Sequence, residues 1–210
     1  ISSTRQSIRL DTKKFLSKNP TIVYAGSLDI SRDIEFLIRV FKLVNSKDQN
    51  IRFKILGIVE KDTNLDLLLS NIYLAGIKQI TKLHFNLNPS EVFSHLLQCD
   101  VGISPIAPNP RYIVSTPTKT VEYLSCGLPV VCNKEILDQE FIVRESKGGL
   151  AVSYNEEDFA NAVISIVEDY ERYSYMSISG KEWIFHNRTY ENLSEELISK
   201  YKKLSFDASS

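Results

Sequence analysis

Short apolar runs alternate with segments of helical periodicity along most of the chain. The apolar runs predict β-strands at residues 21–24, 51–58, 80–87, 100–105, 128–132 and 150–152. Apolar residues at helical spacing predict helices at residues 34–44, 65–75, 89–98, 117–126, 159–170, 174–184 and 190–204. Strands that alternate with helices form parallel sheets with helices packed on both faces. The pattern therefore predicts an α/β fold built on a doubly wound parallel sheet.

The predicted elements divide the chain into three parts. Residues 1–20 are polar and basic, without a strong period, and we expect a linker there. Residues 21–186 hold the alternating elements, and we expect them to form one Rossmann-like domain. Residues 187–210 carry the last predicted helix. Because the chain begins with Ile1 and not with Met, we expect it to be a fragment of a longer protein.

Composition and charge are those of an ordinary globular protein. Of the 210 residues, 43% are hydrophobic, and the formal net charge is -1. The absence of a Lys/Arg block argues against nucleic-acid binding, and no apolar run approaches the roughly 18 residues of a membrane span. Peripheral contact with a membrane surface stays open.

Cysteine and histidine usage favours neither disulfides nor a metal site. Cys99, Cys126 and Cys132 are odd in number and lie in apolar surroundings, which predicts reduced core thiols and a cytoplasmic location. His84 and His95 have no partner at metal-ligand spacing. We therefore expect neither a metal nor a cofactor.

The start of the helix predicted at residues 117–126 has the chemistry of an anion site. Thr116 is a suitable N-cap, and Pro117 suits the first helical position. Lys119 stands where a capping box would have Glu or Gln, so the first amides, the Thr118 hydroxyl and an ammonium would face a phosphate. Glu122, one turn further, suits a pair of sugar hydroxyls. The alternative is that Pro117 only starts a helix whose Glu122 faces solvent.

This segment resembles the sugar-nucleotide signature of the group 1 glycosyltransferases, a retaining family with the GT-B fold. Within PTKTVEYLSCGLPVV, the residues that match the second half of the family pattern are Glu122, Gly127, Pro129, Val130 and Val131. The family pattern has a first glutamate eight residues before the second, where this sequence has Val114. A branch with Ser-Pro-Thr-Lys lacks that glutamate, and VSTPTK is similar to it. The departure leaves open how the transferred sugar is held.

A weaker resemblance lies directly after the first predicted strand, where the sequence predicts a glycine turn. Glycine there lets the backbone approach a ligand closely, and the carboxyl ends of the strands are where such sheets bind ligands. The family pattern there is Gly-Arg-Leu, with a lysine six residues after the glycine. Gly26 and Leu28 match this pattern. Ser27 replaces the arginine, and Arg32 stands in the lysine position. Arg32 alone would be read as an exposed charge, and the spacing together with the resemblance favours a functional role.

The resemblance implies roles for both motifs. Arg32 and Lys119 would neutralise the diphosphate as it leaves, so they are the predicted catalytic residues. The expected substrate-binding residues are Gly26, Ser27, Phe85, Asn86, Leu87, Thr116, Thr118 and Glu122. Residues 85–87 follow the third strand, and the family suggests that they contact the nucleotide base.

The resemblance also implies a function. The chain would be the C-terminal half of a GT-B glycosyltransferase of hexosyltransferase type, which binds a nucleoside-diphosphate sugar and serves glycan, polysaccharide or glycolipid synthesis. The acceptor is unknown, the last helix would pack on an N-terminal domain of the same chain, and the fragment alone would transfer no sugar. In the full protein, the inner face of the membrane is a possible place of contact. The alternatives are a sugar-nucleotide epimerase and a non-catalytic nucleotide-binding module.

Overall fold

The computed structural model describes residues 15–28, 33–59 and 62–188, together with Ile198. The strands in this part of the chain are β1 Thr21–Ser27, β2 Arg52–Ile58, β3 Thr81–Phe85, β4 Val101–Ser104, β5 Val130–Asn133 and β6 Gly149–Val152. Within the described residues the α-helices are α1 Ile34–Lys47, α2 Asp62–Leu74, α3 Pro89–Leu96, α4 Thr118–Ser125, α5 Leu137–Ser146, α6 Glu156–Val167 and α7 Tyr170–Asn187. A short 3₁₀ turn covers Lys78–Ile80.

The strands form one parallel sheet in the order β3-β2-β1-β4-β5-β6. The prediction of a doubly wound α/β sheet is therefore confirmed. The chain order reverses between β1 and β4, and open sheets of this kind bind ligands above the carboxyl ends of the strands at such a reversal. The loops that follow β1 and β4 are thus the ones that build a site.

Alternate residues of each strand pack against opposite layers of helices, as the period of two requires. In β1, Ile22 and Tyr24 join the core beneath α1, α2 and α6. Val23 and Ala25 join the core beneath α3, α4 and α5. The long helix α7 spans both layers, because its first half packs on the first core and Ile184 packs on the second.

Asp100 fixes the point at which the chain enters the sheet. Its carboxylate is 1% exposed and accepts from the Ser17 amide at 3.1 Å, the Ser17 hydroxyl at 2.9 Å and the Thr21 amide at 2.8 Å. A buried carboxylate needs such partners. The described end of the predicted linker, from Phe15 to Pro20, is therefore held against the domain, and residues 1–14 lie outside the described part.

Three helix predictions differ from the structure. Helix α5 was not predicted, because its buried side includes the polar Gln139 and Ser146, which weaken the apolar period. The segment predicted as one helix at residues 159–170 contains a break, since Asp169 caps the start of α7 with its side chain. Helix α7 accordingly extends the helix predicted at residues 174–184 at both ends. The helix predicted at residues 190–204 falls outside the described residues.

Candidate functional site

A cleft of about 670 Å³ opens above the carboxyl ends of β1 and β2, between the starts of α3 and α4. It lies at the reversal of strand order, where the fold is expected to bind ligands. Seven of the predicted site residues line it: Gly26, Ser27, Leu87, Thr116, Thr118, Lys119 and Glu122. Both sequence motifs therefore meet in one cleft.

Helix α4 begins one residue later than predicted. The N-cap is Pro117, which has extended backbone angles (φ -73°, ψ 110°), so the expectation that Thr116 is the N-cap was wrong. Proline has no side-chain acceptor, and no side chain among the described residues caps this helix start. The first turn therefore presents its backbone N–H groups and the positive end of the helix dipole to the cleft.

Lys119 reaches from the first turn of α4 to the end of β1. Its Nζ lies 4.5 Å from the centroid of the Tyr24 ring, a distance typical of a cation–π contact. The Tyr24 hydroxyl donates to the Ser27 carbonyl at 3.0 Å, which fixes the ring. A Cβ at Gly26, where φ is +156°, would lie 3.1 Å from Nζ. The glycine therefore lets the ammonium approach the backbone at the end of β1.

Tyr123 sets the distance between α4 and β1. Its hydroxyl is buried and accepts from the Ala25 amide at 2.7 Å. Burial raises the pKa of Tyr123 well above its usual value, so the hydroxyl stays neutral. A Cβ at Gly102 of β4 would lie 2.3 Å from the Tyr123 ring, so glycine makes room for it. Tyr123 was not predicted from the sequence, although a glycine inside a buried strand, as at Gly102, is a signal of close approach.

The far end of α4 is fixed by a left-handed residue. Gly127 has φ +70°, the Leu128 amide donates to the Tyr123 carbonyl, and the Gly127 amide donates to the Leu124 carbonyl. These two bonds form a Schellman motif, which satisfies the last carbonyls of the helix. Helix α4 is thus fixed at its C-terminal end, and Tyr123 holds it against β1.

Glu122 is exposed on the cleft side of α4, one turn beyond Thr118. Thr118 is also exposed and lines the cleft. A carboxylate placed beside a phosphate-binding helix start can accept hydrogen bonds from hydroxyl groups of a sugar. The geometry is compatible with the predicted roles of both residues.

The structure separates the three residues predicted to contact a base. Leu87 lines the cleft. Phe85 packs against the core beneath α1 and α2, on the other side of the sheet. Asn86 has a left-handed backbone (φ 52°). Its side-chain oxygen accepts from the Val59 backbone amide at 3.1 Å, and its own backbone amide donates to the Gly57 carbonyl. Neither Phe85 nor Asn86 is among the described residues that line the cleft.

Two further sequence positions were singled out by the family pattern. Arg32 lies outside the described residues. Val114, which stands where the family pattern has its first glutamate, is 78% exposed and is not among the described residues that line the cleft.

One wall of the cleft is apolar. It is built from α3 and the loop after β4, and the residues are Pro89, Val92, Phe93, Leu96, Ile106 and Tyr112. These residues were not predicted from the sequence, because an apolar position in a helix or a loop does not show which cleft it lines. A cleft lined by a cation and by apolar side chains suits a ligand with an anionic group and a planar ring.

Two features are absent from the part of the chain that the structure describes. No group of three or more His, Cys, Asp or Glu side chains in this part of the chain could hold a metal ion. None of the described helices is both long and apolar enough to cross a bilayer.

Residues 7–183 match the family model described as glycosyl transferases group 1. No curated protein matches the sequence. Among solved structures, the chain is similar to the C-terminal domain of LpcC, a glycosyl transferase group 1 family protein from Francisella tularensis (14% identity, TM-score 0.69). That similarity covers 85% of this chain and 90% of the other.

Two larger structures have the same fold. One is a mutant of TarM from S. aureus in complex with fondaparinux, alpha-GlcNAc-glycerol and UDP. Its sequence identity to this chain is 16%, its TM-score is 0.72, and the similarity covers 90% of this chain and 37% of TarM. The other is Alr3699/HepE from Anabaena in complex with UDP-glucose, at 13% identity and a TM-score of 0.73, covering 89% of this chain and 49% of that protein. The chain thus spans less than half the length of these two proteins.

Proposed function

The chain belongs to the group 1 glycosyl transferases, and we propose that it binds the nucleoside-diphosphate sugar from which an enzyme of this family transfers the sugar. The observation that carries the proposal is the position of Lys119. Its ammonium lies over the end of β1, beside a helix start that no described side chain caps. An ammonium and the positive end of a helix dipole that meet at one edge of a cleft suit a diphosphate.

The proposed chemistry is electrostatic. As the bond between the sugar and the diphosphate breaks, negative charge grows on the diphosphate, and a cation held in place stabilises that charge without reorganisation. Lys119 and the first turn of α4 supply this stabilisation, and Thr118 donates to the same group. Arg32, which lies outside the described residues, is proposed as the second cation.

The rest of the cleft accommodates the nucleoside. The apolar wall at α3, with Val92 and Phe93, is proposed to pack against the base. Glu122 is proposed to accept hydrogen bonds from the ribose hydroxyls. The complex of the Anabaena protein with UDP-glucose, which has the same fold, makes UDP-sugars the first probes to test.

The remaining partners are proposals of the same kind. The chain spans 37% and 49% of the two larger proteins above. We therefore propose that the acceptor, whose identity is open, is bound largely by an N-terminal domain of the full protein. We also propose a cytoplasmic location, which the three buried free cysteines support. Contact of the full protein with the inner face of the membrane is a further proposal.

Calorimetric titration of the chain with UDP-glucose and GDP-mannose tests the proposal. We expect saturable binding of at least one of them, and competition by the corresponding nucleoside diphosphate. Circular dichroism on the same sample is the control for folding. A folded chain that binds neither sugar nucleotide and neither diphosphate would overturn the proposal.

A further inference from the structure

Three buried polar side chains form a cluster where β4 and β5 end. Ser104, Asn133 and Gln139 are all 0% exposed. The Ser104 hydroxyl donates to Gln139 Oε1 at 2.9 Å. Gln139 Nε2 donates to the Asn133 carbonyl at 3.0 Å and to Asn133 Oδ1 at 3.1 Å. Because buried polar groups need such partners, Gln139 of α5 joins the carboxyl ends of the two strands.

This polar cluster also holds the start of the β4–α4 loop, residues 105–117, all of which the structure describes. Asn133 Oδ1 accepts from the Ile106 backbone amide at 2.9 Å. Ile106 is buried and lines the cleft. The cluster therefore fixes the direction in which the loop leaves the sheet toward the cleft.

A second contact from α5 holds the middle of the same loop. The Leu137 amide, at the start of α5, donates to the Ile113 carbonyl at 3.1 Å. The neighbouring Tyr112 is fixed within the loop, because its amide donates to the Asn109 carbonyl at 2.9 Å and its carbonyl accepts from the Ser115 hydroxyl at 2.7 Å. The part of the loop that carries Tyr112 is thus a compact turn anchored on α5.

The loop supplies part of the apolar wall of the cleft, through Ile106 and Tyr112. Asn133 and Gln139 are not among the described residues that line the cleft, so they act through the loop. We infer that Gln139 and Asn133 are positioning residues, which hold the loop side of the apolar wall in place for the nucleoside. The inference rests on the proposed function, because it assigns the polar cluster a task in nucleotide binding.

The cluster should act on the nucleoside and leave the diphosphate contact unchanged. Helix α4, which carries Lys119, is held against β1 by the hydrogen bond between Tyr123 and the Ala25 amide. That bond involves no residue of the polar cluster. A loop that moves after the cluster is broken must be ordered again when a ligand binds, which weakens binding. Because mono- and diphosphates share the nucleoside, both should be weakened alike.

Gln139→Met tests the inference, because it removes the side-chain amide and keeps a side chain of similar length. Calorimetry with UDP and UMP, or with GDP and GMP, measures the effect. We expect the affinities for the diphosphate and the monophosphate to fall by the same factor, roughly three- to tenfold. The preference for the diphosphate should stay at the wild-type value. If Gln139→Met does not fold, Ser104→Ala, which removes one hydroxyl from the cluster, takes its place with the same expected pattern.

Ser146→Ala is the matched control at the other end of α5. The Ser146 hydroxyl is buried, donates to the Val143 carbonyl at 3.3 Å and accepts from the Gly148 amide at 3.1 Å. This variant loses buried hydrogen bonds of the same helix away from the loop, so it should lose stability and keep both nucleotide affinities.

The outcomes separate the inference from the proposed function. Unchanged affinities in the folded Gln139→Met variant, a changed preference for the diphosphate, or an equal loss of affinity in Ser146→Ala would each overturn the inference and leave the proposed function standing. A folded wild-type chain that binds none of the four nucleotides would overturn the proposed function, and the inference with it.

Discussion

Lys119 owes its place to two uncharged neighbours. The Tyr24 ring lies beneath its ammonium, and the missing side chain of Gly26 leaves room for it. The sequence singled out Lys119 and Gly26 separately, since each belongs to a local pattern of a helix start or a strand end. It could not show that the two residues meet, because that contact depends on the order of the strands.

Gly26→Ala should move the ammonium away from the end of β1. The added Cβ would lie 3.1 Å from Lys119 Nζ and 3.2 Å from the Tyr24 hydroxyl, so the flexible lysine has to give way. Because φ at Gly26 is +156°, a backbone conformation that L residues rarely adopt, the variant should also lose some stability. We expect the free energy of UDP or GDP binding to weaken by about 1 to 2 kcal/mol. Calorimetry measures the change in affinity, and a thermal melt measures the change in stability.

Gly76→Ala is the control for backbone strain. Gly76 has φ +73°, and an added Cβ would meet no atom within 4 Å. This variant should lose stability and keep its nucleotide affinity. Equal affinities of Gly26→Ala and the wild type would remove the Lys119 contact from the site.

The proposed role of Glu122 predicts that the cleft distinguishes ribose from deoxyribose. A carboxylate that accepts from both ribose hydroxyls loses a partner when one hydroxyl is missing. We expect Glu122→Gln to weaken UDP or GDP binding by about 1 to 3 kcal/mol and to reduce the preference over the 2′-deoxy analogue. Glu182→Gln on α7 is the control, because Glu182 is exposed and does not line the cleft. An unchanged ribose preference would make Glu122 a surface residue.

At the scale of elements, β3 and α3 meet at a histidine pair. The ring centroids of His84 and His95 are 4.1 Å apart. Burial is the main cause that lowers the pKa of both histidines below the usual 6.5, and the Lys54 ammonium lowers both further. The neighbouring His95 and the Lys82 ammonium also lower the pKa of His84. The Glu91 carboxylate acts in the opposite direction and raises the pKa of His95. Both imidazoles are therefore held in the neutral form.

This pair should make the free energy of unfolding depend on pH. With the pKa of both histidines lower in the folded chain, the unfolded chain binds more protons as the pH falls below about 6.5, so the stability falls in that range. Urea unfolding at about pH 7.5 and about pH 5.5 measures the loss. The double variant His84→Gln, His95→Gln should show a smaller loss than the wild type. An equal loss in both proteins would show that other groups cause it.

The elements themselves were predictable wherever the period of the apolar residues was clean. Strands β1 and β2 and helix α1 bury apolar residues at regular spacing, and each was predicted. Helix α5 was missed because Gln139 faces inward, where it binds the backbone and side chain of Asn133. Gln139 finds these hydrogen-bond partners only in the folded protein, so no local sequence pattern predicts that it is buried. The cap at Pro117 differs from the expected Thr116 for a related reason, since sequence does not reveal the backbone angle ψ of a proline.

At the scale of the molecule, the site exists because the sheet reverses its strand order between β1 and β4. That reversal brings together the glycine at the end of β1 and the start of α4, which are far apart in the sequence. Alternating elements predicted a doubly wound sheet, and the resemblance to a family pointed to the residues at its edge. The apolar wall at α3 and the tyrosine that spaces α4 from β1 required the assembled fold.

The central claim is that Lys119 and the start of α4 hold the diphosphate of a nucleotide. Calorimetric comparison of UDP with UMP, or GDP with GMP, in the wild type, Lys119→Ala and Lys42→Ala tests it most directly. Lys42 is exposed on α1 and does not line the cleft, so its removal controls for net charge. We predict that the wild type and Lys42→Ala prefer the diphosphate, and that Lys119→Ala loses about 1.5 to 3 kcal/mol of that preference. An unchanged preference in Lys119→Ala would contradict the claim.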